Sequence, residues 1–150
     1  MSMANWENPI MSLSEMALDT VEEGGLTVTR HHKEATKGYS IATGTVEVKT
    51  PVSEYEIGRA IHFVSGVLNR SINGARGVEY QDQDDKYLGI GTWITEDGNH
   101  CVTELVHIYP EYSMDDETAK SVGRKRKQFS IYHLGEKREI KTGYSETYQG

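Results

Sequence analysis

The stretch YLGIGTWITEDGNHCVTELVHIY, residues 87–109, decides the fold. Two runs rich in β-branched and aromatic residues flank its centre, Glu96-Asp97-Gly98-Asn99. An Asp-Gly pair between two such runs is a strong signal for a β-hairpin. The stretch therefore predicts two antiparallel strands, residues 87–95 and 100–109, joined by a short turn.

The segment before this hairpin predicts a long amphipathic helix. Ser53 and Glu56 have the spacing of a capping box, and Pro51 ends the preceding strand. Apolar residues then recur on one side of the helix, namely Ile57, Ala60, Ile61, Val64, Val67 and Leu68. Such a stripe is typical of a helix that lies on a sheet. Its expected end is Asn73-Gly74, before a polar, acidic loop at residues 77–86.

The other elements follow from shorter patterns. A short first helix is predicted after a cap at Ser12, and a second main helix from Ser113 to about Lys127. Further strands are predicted at residues 26–30, 39–42, 46–49, 129–132 and 138–141. The first three should form a small meander, with a turn at Thr43-Gly44 and a polar loop in which His31 and His32 are solvated.

These elements give an α+β fold. We expect a twisted antiparallel sheet of about five to seven strands, with two main helices packed on it and a short N-terminal helix. The chain has 150 residues, a usual size for one domain, and no linker-like segment divides it. Residues 1–150 are therefore predicted to form a single domain, with a frayed tail at residues 143–150.

Composition narrows the range of functions. The net charge of −7 opposes general nucleic-acid binding, because it repels a phosphate backbone. No apolar run is long enough to cross a membrane. Cys101 is the only cysteine, so no intramolecular disulfide is possible, and the first residues lack the pattern of a secretory signal. These features predict a cytoplasmic protein.

Metal and nucleophile chemistry are not predicted. His100, Cys101 and His107 are close in sequence, but strand alternation puts only Cys101 and His107 on one face, roughly 20 Å apart. That distance is too large for a shared metal ion. No Gly-x-Ser-x-Gly motif is present, and Gly89-Ile90-Gly91 lies inside a strand rather than before a helix. No cofactor is expected, and Cys101 is interpreted as a buried thiol.

One basic run has two interpretations, and its residues are Arg124, Lys125, Arg126 and Lys127. Cations in the last turn of a helix are favoured by the helix dipole, so a solvated helix end explains them. Alternatively, they contact nucleic acid, a nucleotide phosphate or an acidic protein. A basic helix end beside an acidic loop makes a polarised surface, which favours partner docking or self-association.

The second half of the chain, from Tyr87 onward, carries a set of short motifs. They are Tyr87-Leu88-Gly89, the Asp97-Gly98 turn, Ala119 and Gly123 in the following helix, Gln128-Phe129-Ser130-Ile131-Tyr132, and Glu139-Ile140-Lys141-Thr142-Gly143. Together they resemble small bacteriophage accessory proteins for which no activity is established. The resemblance implies a viral protein in the cytoplasm of a bacterial host, and it implies no catalytic residues.

Three functions are consistent with these features. The leading hypothesis is a homo-oligomeric module that binds and antagonises a host protein or protein complex, including defence machinery. The second is a small enzyme or sequestering protein for a nucleotide-like ligand, and the third is a minor virion or assembly component. A non-catalytic role is favoured. The candidate ligand or partner residues are Arg59, His62, Glu104, His107, Arg124, Lys125 and Arg126.

Overall fold

The computed structural model describes residues 5–72 and 86–146. Its helices are α1 (Leu13–Glu23), α2 (Glu54–Ile72) and α3 (Asp116–Lys125), with short 3-10 turns at Asn5–Glu7 and Glu111–Ser113. Its strands are β1 (Gly25–Thr29), β2 (Tyr39–Pro51), β3 (Tyr87–Ile94), β4 (His100–Tyr109), β5 (Ser130–His133) and β6 (Arg138–Lys141). The predicted α+β fold is confirmed.

All six strands form one antiparallel sheet in the order β1-β3-β4-β2-β5-β6, curled into a half-barrel. The predicted hairpin is confirmed as the pair β3 and β4, in which Gly91 lies opposite Glu104 and Ile94 opposite Cys101. Gly98 has a φ of 76°, as a tight turn requires. The hairpin therefore forms the centre of the sheet.

The predicted meander of the first three strands is wrong. β1 pairs with β3, and residues 39–51 form one continuous strand in place of two strands and a turn. The register shifts between Ala42, which lies opposite Val106, and Glu47, which lies opposite Glu104. Residues 43–46 therefore form an irregular bulge, in which the Thr45 amide donates to Thr43 Oγ1 and the chain does not reverse.

Helix α2 packs on the sheet beside α1, as its apolar stripe predicts. Its cap is confirmed, because the Glu56 amide donates to Ser53 Oγ at 3.1 Å. Buried residues of α2 and α1 join strand residues in the main core, including Ile57, Ile61, Val64, Leu68, Met16, Ala17, Val28, Ile90 and Leu105. The predicted helix end at Asn73-Gly74 and the predicted acidic loop up to residue 85 lie outside the described residues.

Helix α3 begins later and ends earlier than predicted. Its cap is Asp115, whose Oδ1 accepts from the Thr118 amide at 2.8 Å, whereas the Ser113 hydroxyl donates to the Pro110 carbonyl in the preceding turn. Lys127 has a φ of 60°, which ends helical geometry. α3 covers the other end of the sheet, in a cluster with Tyr39, Ile41, Ala119, Ile131 and Ile140.

Gly89 allows the central strands to approach closely. A Cβ at this position would lie 2.5 Å from the Val28 carbonyl oxygen and 2.7 Å from Ile108 Cδ1. The prediction that Gly89-Ile90-Gly91 lies inside a strand is confirmed, because all three residues belong to β3. Within the described residues, no helix combines the length and the apolar character that a membrane crossing needs.

Candidate functional site

Four side chains form what we call the outer face of α2: Tyr55, Arg59, His62 and Phe63. All are exposed, and the two rings are the most exposed apolar groups of the helix, at 70% for Tyr55 and 56% for Phe63. The Arg59 guanidinium lies 5.6 Å from the centre of the Tyr55 ring. This face is directed away from the buried stripe of α2.

Helical spacing explains the arrangement. Tyr55, Arg59 and Phe63 are four residues apart, and His62 follows Arg59 by three, so all four lie within about 100° around the axis. Arg59 and His62 were predicted as site residues, and the structure brings them together. The two rings were missed, although their place outside the apolar stripe was already visible in the sequence.

The β1 turn, which we define as Arg30, His31 and His32, lies near the same helix. His32 Nε2 is 2.7 Å from the Ser65 hydroxyl of α2, and His62 also acts electrostatically on His32. Burial and neighbouring positive groups lower the pKa of both His31 and His32. The prediction of two solvated histidines is wrong, because the turn packs against α2.

Glu104 lies on the opposite side of the sheet from α2. Trp93 Nε1 donates to Glu104 Oε2 at 3.1 Å, and the exposed Glu47 lies directly across from Glu104 in β2. Burial, with a contribution from Glu47, raises the pKa of Glu104 to about 7. This carboxyl group is therefore half protonated near neutral pH and is available for proton exchange or for pairing with a cation.

His107 and Arg126 both lie against the ring of Tyr109. Arg126 Nη2 donates to the Tyr109 hydroxyl at 2.7 Å, and the guanidinium carbon lies 5.9 Å from the ring centre. The His107 ring is edge-on to Tyr109 at 6.1 Å. Arg126 also donates to the Ala42 carbonyl at 3.4 Å, so its side chain ties the end of α3 to β2.

Arg124 and Lys125, the other predicted site residues of the basic run, have different surroundings. Arg124 Nη1 donates to the Thr142 carbonyl at 2.7 Å, whereas Lys125 is exposed. The seven predicted site residues therefore occupy several separate places. Arg59 and His62 share one helix face, His107 and Arg126 share Tyr109, and Glu104 lies on the other side of the sheet.

Cys101 is buried, and burial raises the pKa of its thiol. Among residues 5–72 and 86–146, no three histidine, cysteine or acidic side chains are grouped so that they hold a metal ion. Comparison with protein-family models, curated proteins and solved structures gives no match. Function has to be inferred from these surfaces.

Proposed function

We propose that the protein is a binding module that docks a partner protein on the outer face of α2. The observation that carries this proposal is the pair of exposed rings, Tyr55 and Phe63, on one helix face with Arg59 between them. Aromatic and arginine side chains supply most of the binding energy in protein interfaces. The stack of Arg59 on Tyr55 also limits the side-chain freedom lost on binding.

The charge of this face indicates an acidic partner. The whole chain has a net charge of −7, yet the exposed charged groups in line with the two rings are Arg59 and, about two helical turns beyond Phe63, Arg70. Neither arginine has an ion pair within the described part of the chain. A partner surface with carboxylates around apolar pockets for two aromatic rings is complementary to this face.

A second copy of the chain is a poorer occupant of this face. Arg59 lies midway between Tyr55 and Phe63, so an antiparallel, two-fold pairing of α2 helices would place Arg59 against its own copy. Two cations at the centre of an interface repel each other. We therefore infer that the partner is a different protein, and homo-oligomerisation, if it occurs, uses another surface.

The resemblance to bacteriophage accessory proteins supports a host protein as that partner. On this proposal the chain antagonises a host component, including defence machinery, by occupying its surface. The alternative of a nucleotide-binding enzyme draws less support, because its candidates Arg59, Glu104 and His107 lie on separate surfaces. No feature of the outer face of α2 favours a virion or assembly role.

The test is capture of a stoichiometric partner from a bacterial lysate, followed by titration with that purified partner. The double variant Tyr55→Ala/Phe63→Ala should weaken binding at least about 30-fold, since one hot-spot truncation alone costs about 2 kcal/mol. Tyr112→Ala is the matched control, because Tyr112 is an 80% exposed aromatic residue outside α2. Equal binding by the double variant and the control would refute the proposal.

A further inference from the structure

The β1 turn contains a half-buried arginine, Arg30, for which the described residues provide no ion pair. Arg30 Nε and Nη1 are enclosed and have no hydrogen-bond partner, and His31 Nε2 in the same turn is enclosed and unpartnered as well. Buried polar groups in proteins are nearly always hydrogen-bonded. Three such polar atoms in one turn, of which the two guanidinium nitrogens are donors, therefore require an explanation.

The surroundings of the turn are also positive. The charged groups that act on His31 are Arg30 and Lys33, and those that act on His32 are His31 and His62. Every one of them is a base, in a chain whose net charge is −7. Because the pKa of His31 and His32 is lowered, the positive charge near this turn comes from Arg30 and Lys33.

The turn itself is held in place by the fold. The Thr29 amide donates to the Lys33 carbonyl at 2.8 Å, and the Met11 amide donates to the His32 carbonyl at 2.8 Å. The hydrogen bond between His32 and Ser65 ties the turn to α2. The position of Arg30 is therefore built in before any ligand arrives, as a binding site requires.

We propose that the β1 turn binds a phosphate-type oxyanion through Arg30 and His31. A guanidinium group offers planar, paired donors that match phosphate oxygens, and the imidazole adds a further donor. A doubly charged tetrahedral anion suits this turn better than a carboxylate, because it satisfies more donors and more charge. The Arg30 side chain as a whole is only partly buried, but its Nε and Nη1 are enclosed, so the anion has to displace the atoms that cover them in order to bind.

This inference stands apart from the docking proposal. It rests on Arg30 and His31, whereas docking rests on the rings of Tyr55 and Phe63. The variant Tyr55→Ala/Phe63→Ala should bind phosphate as the wild type does. Failure of one proposal therefore leaves the other intact.

The experiment follows thermal unfolding of the full chain against inorganic phosphate, with sodium chloride at matched ionic strength as the reference. The wild-type midpoint should rise steadily with the logarithm of phosphate concentration, because only the folded chain binds. Arg30→Met should abolish this rise. Arg124→Gln, which removes a guanidinium group already bonded to the Thr142 carbonyl, should keep the rise.

Arg30→Met gives a second, independent readout. Without phosphate it should unfold at the wild-type midpoint or above, because the substitution removes two enclosed nitrogen atoms that have no hydrogen-bond partner. A variant that is clearly less stable or fails to fold would show a structural role for Arg30 and overturn the proposal. An unchanged phosphate response in Arg30→Met, or none in the wild type at tens of millimolar phosphate, would overturn it too.

Adenosine monophosphate, tested in the same thermal unfolding assay, distinguishes a site for free phosphate from a site for a nucleotide phosphate. A response equal to that of inorganic phosphate means that the phosphate group alone is recognised. If adenosine monophosphate raises the unfolding midpoint at a concentration tenfold lower than inorganic phosphate does, the site binds the phosphate group as part of a nucleotide. His62 is then the neighbouring residue to substitute next. Both results support the oxyanion site.

Discussion

Replacing Glu104 by Gln removes a carboxylate from the sheet face opposite α2 and keeps an oxygen that accepts from Trp93 Nε1. The wild-type side chain is half-buried beside an indole that is 43% exposed, and it lies across from the exposed Glu47. Because the substitution retains shape and the hydrogen-bond acceptor, its main effect is on charge. The stability of this variant therefore measures the cost of burying the charge.

The magnitude follows from the pKa. Burial raises the pKa of Glu104 from the ordinary glutamate value of 4.5 to about 7. The folded chain therefore holds the Glu104 proton at pH values where the unfolded chain has already released it. Stability is lost as pH rises from 4.5 towards 7, and the total loss is about 3 kcal/mol, an upper figure because the side chain is partly exposed. Glu104→Gln has no ionisable group at this position, so it does not lose this stability at any pH.

Urea unfolding at acidic and at alkaline pH tests this reasoning. The variant should exceed the wild type in unfolding free energy by a margin that grows by about 2 kcal/mol from pH 5 to pH 8, with unchanged denaturant slopes. Glu47→Gln is the control, because the side chain of Glu47 is exposed and should change stability little. A margin that is constant or shrinks with pH would show that Glu104 is ionised at little cost.

Three further predictions concern the fold. Gly89→Ala should destabilise by more than about 2 kcal/mol in urea unfolding, since its Cβ meets the Val28 backbone, while Gly58→Ala, with open space around its Cβ, should be neutral or stabilising. Cys101 should react with a thiol reagent only on unfolding, because it is buried with a raised pKa, so fast labelling of the native chain would contradict its placement. Ser53→Ala should cost about 1 kcal/mol in thermal unfolding through loss of the α2 cap, and no loss would refute that role.

The sequence predicts best where the signal is local. The hairpin at residues 87–109 depends on one Asp-Gly turn, and α2 depends on its cap and its apolar stripe, so both are confirmed with small boundary changes. The neighbours of β1 and β2 were predicted wrongly, because the β3–β4 hairpin occupies the space between them. Long-range pairing of this kind leaves no periodic trace in the sequence.

The same limit applies to the candidate sites. Arg59 and His62 are three residues apart on a helix, so their proximity follows from the sequence. The β1 turn was assigned to solvent because its residues are polar. Its burial depends on His32 meeting Ser65, a contact between residues 33 positions apart that no local pattern encodes.

The outer face of α2 presents Arg59 and Arg70, whereas Glu104 lies opposite Glu47, and the effect of salt distinguishes a partner that binds at one place from a partner that binds at the other. A basic partner that docks near Glu104 is attracted by the whole chain of net charge −7, so added salt should slow its association. An acidic partner that docks on the outer face of α2 is repelled at long range and attracted only near Arg59. Added salt should then leave its association rate unchanged or raise it, while dissociation becomes faster. An association rate that falls steeply with salt would place the partner on the Glu104 side, against the proposed docking face.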